Sequence, residues 1–199
     1  MADTEFLLAA LQLKDEDRTG WTMRDVRDPE SVAAHSWGVA FLTALLADDD
    51  IDRERAVRMA LVHDLAEAET GDIPNRAAAE QEKKPVSDEE KAEQERAVME
   101  RFAAESGDES LLELWEEYAA RETAEARFVK DMDVLDMCLQ ALFYEENGRY
   151  PGDGENEHFE EYDAMDEFFA AGAERLSTDT GQELFEQVRE RYREVRGNE

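Results

Sequence analysis

Histidine, cysteine and basic side chains are scarce in this 199-residue chain. It has three histidines, one cysteine and four prolines, and 22 Lys and Arg stand against 53 Asp and Glu, a formal net charge of −31. The lone Cys138 has no partner for an internal disulfide, so nothing in the chain asks for an oxidising compartment. The shortage of cations removes nucleic acid from the list of partners, because a phosphate backbone is held by clustered Lys and Arg that displace its counterions. No apolar run nears the roughly 20 residues that span a bilayer. The opening MADTEFLLAALQL has no basic start ahead of a long apolar segment, so neither a membrane span nor a secretory leader is expected. The expected location is cytoplasmic.

What is present is enough to fold. Hydrophobic residues make up 42% of the chain, and its three Trp, nine Phe and seven Met fall in periodic segments, unlike the composition of disordered acidic chains. The length fits one domain. A net charge this large strains a compact state by self-repulsion. Near 1 M salt the screening length shrinks to about 3 Å, so the acidity reads as adaptation to a salty cytoplasm.

The apolar spacing is helical almost throughout, with no sustained period-two alternation. Thr4 is expected to cap a first helix carrying Phe6, Leu7, Ala10 and Leu11, and Trp21 falls in an ordered loop after Gly20. Pro29 precedes a second helix with the stripe Val32, His35, Val39, Leu42 and Leu46. Asp52 caps a third, from Arg53 to about Glu69, ended by Gly71. Residues 70–86 read as a loop, and Ser87-Asp-Glu-Glu90 as a capping box opening the next helix, which Gly107 breaks. Leu111, Leu112, Leu114, Trp115 and Tyr118 mark another, and Thr123 caps a long one from Ala124 to about Glu146. The stretch 147–158 is a glycine-rich loop with His158 exposed. Two C-terminal helices follow, one rich in Phe159, Tyr162, Phe168 and Phe169. The expected architecture is all-α and single-domain over 1–199, with a core of about 4–147 and helices of 158–197 packed on it.

His35 lies on an apolar stripe. His63 shares its face with Ala56, Ala60 and Glu67, small neighbours that leave room beside the imidazole. Asp64 follows about 100° round the helix, and Asp133 borders the stripe Phe128, Met132, Leu135 and Leu139. A buried acid beside a histidine needs a positive partner. Each feature alone has a plain reading: a hydrogen-bonded core histidine, or Asp133 paired with Lys130. Together, two histidines and two aspartates on three helices suit a divalent ion such as Mn, Co, Fe, Ni or Zn.

The strings Pro29-Glu-Ser-Val-Ala-Ala-His35-Ser, Ala60-Leu-Val-His63-Asp64-Leu-Ala-Glu67, Gly71-Asp72-Ile and Phe128-Val-Lys130-Asp-Met-Asp133 resemble the HD-domain superfamily, more narrowly its 5′-deoxynucleotidase branch, from about Phe6 to Glu146. The resemblance implies an HD-domain helical bundle with one divalent ion on His35, His63, Asp64 and Asp133. It also implies Glu67 and Asp72 near the attacking water or substrate, Trp21 against the sugar, and a homodimer. Some members carry a basic residue where this chain has Gly20. Arg18, two positions back, is then the expected phosphate ligand, with Arg24 and Arg27 as the other cations near the pocket. The expected activity is hydrolysis of deoxyribonucleoside 5′-monophosphates to nucleoside and phosphate. The alternatives are an HD hydrolase of another nucleotide or phosphorylated metabolite, and a non-catalytic metal- or nucleotide-binding protein.

Overall fold

Side-chain caps set where most of the helices begin. In the computed structural model, which describes residues 2–73, 87–151 and 162–197, Asp3 rather than Thr4 caps α1 (Thr4–Leu11), accepting the Glu5 N–H at 3.2 Å. Ser31 caps α3 (Val32–Leu46), and Asp52 and Thr123 cap α4 (Arg53–Val62) and α8 (Ala124–Glu146), as their spacing leads one to expect. The capping box opens α6 (Asp88–Ser106), with Ser87 and Glu90 each bonding the other's backbone N–H. Gly107, at φ 69°, closes that helix. Of the loop expected at 70–86, Thr70 ends a helix instead and residues 74–86 lie outside the described residues, as do His158 and Phe159.

Among the described residues the fold is all-helical. It departs from the sequence reading at several ends. Trp21 sits in a one-turn helix, α2 (Thr19–Thr22), not a loop. The helix expected to run to Glu69 stops at Val62, turns through His63–Ala66, and resumes as α5 (Glu67–Thr70). The cause is local. Leu65 N bonds Val62 O at 3.1 Å and Glu67 N bonds Asp64 O at 3.0 Å, a tighter winding than the α-helix. His63 Nδ1 takes the Ala60 carbonyl, at 2.7 Å, that a continuing helix would use for Asp64. The aromatic C-terminal helix begins at α9 (Asp166–Ala173), later than its composition suggested.

α3 packs against both α4 and α8, and α4 also meets α8. α7 (Ser110–Ala120) contributes Leu114, Trp115 and Tyr118 to the same core. α10 (Asp179–Gly197) lays Phe185, Val188 and Tyr192 inward at helical spacing and is pinned to α8 by Asp131. That fully buried carboxylate accepts the Ser177 and Thr178 N–H groups and the Thr178 hydroxyl at 2.7–3.1 Å. A Cβ on Gly181 would stand 2.4 Å from Asp131 Oδ2, so glycine is what allows the approach. A backbone bridge between Asp17 and Ser31, with Arg18 N on Glu30 O at 3.1 Å, straps the segment before α2 to the start of α3. No helix of the described residues is long and apolar enough to cross a membrane.

Candidate active site

His35 comes from the first turn of α3, His63 and Asp64 from the turn after α4, and Asp133 from α8. The structure brings them together. The two imidazoles face each other, Nε2 to Nε2, at 3.3 Å. Asp64 Oδ2 lies 3.1 Å from the His63 Nε2 and 3.7 Å from the His35 Nε2. Asp133 Oδ1 reaches the His35 Nε2 at 3.2 Å. Its Oδ2 accepts the Tyr118 hydroxyl at 2.7 Å and the Lys130 ammonium at 2.6 Å.

The other ring nitrogens set which lone pairs the cluster presents. His63 Nδ1 meets a carbonyl, which only accepts, so that nitrogen carries the proton. His35 Nδ1 lies 2.8 Å from Asp136 Oδ2, with the same consequence while that carboxylate is ionised. Both Nε2 lone pairs then converge with two carboxylates, an arrangement that repels itself unless a positive centre stands among them. A proton on His35 meets that need in part: burial and Arg18 pull its pKa down, but Asp133 and Asp136 lift it to about 9. A divalent cation meets it fully, and the mixed imidazole–carboxylate donor set fits one. His35, His63 and Asp64 each offer a donor atom within 4.8 Å of the others'.

The cluster opens into a cavity of about 310 Å³. Arg18, Glu67 and Asp72 line it beside His63, Asp64 and Asp133. Arg18 Nη1 is 3.7 Å from Asp64 Oδ2 and its Nε is 4.0 Å from Asp72 Oδ2. Burial opposes the guanidinium charge, yet Asp64, Asp72 and Asp133 together hold it more firmly protonated than usual. Asp72 is fixed by the Thr19 N–H, 2.7 Å from its Oδ2. Glu67 is nearly buried and its Oε2 has no hydrogen-bond partner among the described residues. Burial, reinforced by Asp64 and Asp72, pushes its pKa up to about 10. Asp64 and Asp133 go the other way: burial raises them, but His63 chiefly for Asp64 and Lys130 chiefly for Asp133 hold both below the usual carboxylate range.

Three expected substrate contacts are not here. Trp21 is 1% exposed, donates its Nε1–H to Glu30 Oε1 at 2.9 Å and packs against Tyr144 and Phe168. Arg24 forks onto the buried Glu167 carboxylate, and Arg27 donates to the Gly148 carbonyl at 2.6 Å. None of the three lines the cavity. The cations that do are Arg18, Lys91, Arg121, Lys130 and Arg175, five against the five acids Asp64, Glu67, Asp72, Glu95 and Asp133, a near-neutral lining in a chain of net −31. Lys130 was visible one turn before Asp133. Arg121 and Arg175 follow helix ends and left no signal. A larger hollow of about 600 Å³ between α9 and α10 holds none of the expected site residues, so the chemistry belongs to the smaller one.

The HD domain family matches residues 10–187. The 5′-deoxynucleotidase HDDC2 of Xenopus laevis is 42% identical over 151 residues, covering 74% of this chain and 72% of that protein. Its Homo sapiens counterpart is 40% identical over 148 residues, covering 74% and 71%. Among solved structures, the PH0347 protein of Pyrococcus horikoshii superposes with a TM-score of 0.71 at 33% identity, over 96% of this chain and 99% of that one.

Proposed function

The chain belongs to the HD domain family, and from that premise we propose that it is a metal-dependent phosphomonoesterase hydrolysing deoxyribonucleoside 5′-monophosphates to deoxynucleoside and phosphate. The observation that carries the proposal is the meeting of two Nε2 lone pairs with two carboxylates beside a cavity that also holds Arg18 and Glu67, whose Oε2 has no hydrogen-bond partner among the described residues. His35, His63, Asp64 and Asp133 would hold one divalent ion, Mn, Co, Fe, Ni or Zn. Such an ion polarises a phosphate oxygen and acidifies water. The substrate class follows from the relatives named 5′-deoxynucleotidase.

The remaining work falls to side chains. Arg18 binds a non-bridging phosphate oxygen, and Asp72, itself held by Thr19, keeps the guanidinium aimed into the cavity. A divalent charge beside Asp64 would oppose the burial that keeps Glu67 protonated, and the ionised carboxylate then takes the proton of the water that attacks phosphorus and returns it to the 5′-oxygen that leaves as the P–O bond breaks. Trp115, Val134 and Met137 offer an apolar wall for the nucleoside.

The reading extends to a cytoplasmic homodimer of one HD domain spanning 1–199. α3 carries no Asp, Glu, Lys or Arg from Val32 to Leu46 in a chain where these make up 38%, and Trp37, Phe41 and Leu45 stand more than half exposed one turn apart. Such a stripe suits a second copy, because the rest of this strongly acidic surface repels itself. Light scattering should give twice the chain mass, falling to one for Trp37→Asp.

The activity is tested by stripping the protein with chelator and restoring Mn²⁺, Co²⁺ or Zn²⁺ against deoxy- and ribonucleoside 5′-monophosphates. Phosphate release from the deoxy substrates, dependent on the added ion, is expected. Release only from ribonucleotides or other phosphomonoesters overturns the substrate assignment, and none with any ion overturns the enzyme.

A further inference from the structure

We propose that Asp136 is a positioning residue that fixes the ring and proton of His35, and that Gly38 exists to let it do so. Asp136 lies one helical turn beyond Asp133 on α8. The two acids grip one imidazole from both sides: Asp133 Oδ1 is 3.2 Å from Nε2 and Asp136 Oδ2 is 2.8 Å from Nδ1. A neutral imidazole has a single N–H, and a carboxylate only accepts. Asp136 therefore draws the proton to Nδ1 and leaves the Nε2 lone pair aimed at His63 and Asp64. The ring is fully buried, so water does not compete for either nitrogen.

Gly38 sits on the same helix as His35, three residues on. A Cβ there would stand 2.0 Å from Asp136 Oδ1 and 2.8 Å from its Cγ, closer than real carbon contacts allow. The backbone φ at Gly38 is not of the positive kind that favours glycine. What demands glycine is the carboxylate lying across the helix. Behind Asp136, Glu30 brings an oxygen within 4.8 Å of the donor atoms of both His35 and Asp136, and Trp21 Nε1 donates to its Oε1 at 2.9 Å. Trp21 thus stands behind the ring, on Glu30, and does not line the cavity.

This inference rests on the proposed cation site, since it concerns how strongly His35 binds there. A carboxylate on the far nitrogen raises imidazole basicity and holds the ring in place, and its loss costs roughly 10- to 100-fold in affinity for such sites. The test titrates Co²⁺ into chelator-treated full-length protein and reads its d–d absorption band, with far-UV circular dichroism and metal-free melting as controls. Asp136→Ala and Gly38→Ala are each expected to weaken binding roughly 10- to 100-fold and to shift the band. The double variant should bind no worse than the weaker single one, because both act through the same carboxylate. Asp136→Asn keeps an acceptor without the charge, folds if the alanine variant does not, and should lose less.

Three results overturn the inference. One is Asp136→Ala binding Co²⁺ within about threefold of wild type. Another is losses that add in the double variant. The third is two ions per chain with one lost in Asp136→Ala, which makes Asp136 a ligand. Wild-type protein that takes up no Co²⁺ at all removes the cation site itself, a failure separate from these three.

Discussion

Lys91 holds its ammonium 3.9 Å from Glu67 Oε1, too far for a hydrogen bond, and the second oxygen of that carboxyl has no partner among the described residues. Lys91 Nζ donates instead to the Ile73 carbonyl at 2.9 Å. An almost buried carboxyl left this way is costly unless it has a use. Glu67→Gln should lower kcat by about 10²- to 10⁴-fold, the usual worth of positioned proton transfer, with Co²⁺ affinity and helical content unchanged. Steady-state kinetics beside a metal titration check this. Full activity in the variant removes Glu67 from the chemistry.

The same group sets a pH dependence. In the metal-free protein Glu67 titrates at about 10, raised by burial first and then by Asp64 and Asp72, against 4.5 in the unfolded chain. The native state therefore binds the extra proton between those values, and stability falls as pH rises across them. His35 adds to the trend: burial opposes its charge, but Asp133 and Asp136 raise it to about 9, so its contribution is complete below 6.5 and is lost as pH climbs through 9. Melting of chelated protein should drop steadily from pH 6.5 to 9. Glu67→Gln should melt higher at neutral pH and show a shallower slope, and Co²⁺ uptake should release protons in this window.

Arg18 and Arg24, six residues apart, should fail in different ways. Arg18→Ala removes a charge-assisted phosphate contact and should lower kcat/KM by about 10- to 100-fold, mostly through KM, with little change in melting. Arg24→Ala strands the buried Glu167 carboxylate, which forks onto Arg24 with only 6% of either side chain exposed. That should cost about 3–5 kcal/mol and lower the melting midpoint by roughly 6–20 °C, with KM near wild type. Calorimetry and kinetics on both variants separate the roles.

Salt should stabilise the fold. With net −31 and only 22 basic side chains, repulsion dominates the surface. Raising KCl from about 0.1 M to 1 M shortens the screening length from about 10 Å to about 3 Å, so the melting midpoint should climb. A flat or falling midpoint contradicts adaptation to high salt.

Much of this was legible in the chain because the relevant forces are local. Asp52, Thr123 and the Ser87–Glu90 box announce their helices through side-chain capping, and His35 stands out as a rare residue on an apolar stripe. The helix break at His63 was not legible, because it depends on the ring taking the Ala60 carbonyl. Family resemblance suggests Trp21, and proximity in sequence Arg24 and Arg27, as substrate contacts, yet partners more than 100 residues away hold the two arginines: Glu167 for Arg24 and Gly148 for Arg27. Asp136 shows the opposite case. Its spacing from Asp133 was in plain view, but only the approach of Gly38 reveals that it faces His35.

The central claim is that His35, His63, Asp64 and Asp133 surround one divalent ion, and anomalous diffraction from crystals grown with Co²⁺ tests it most directly. A single anomalous peak bonded to both Nε2 atoms and to the two carboxylates, absent in His63→Ala, is the predicted result. A peak elsewhere, or two imidazoles still facing each other with no density between them at saturating Co²⁺, would contradict it.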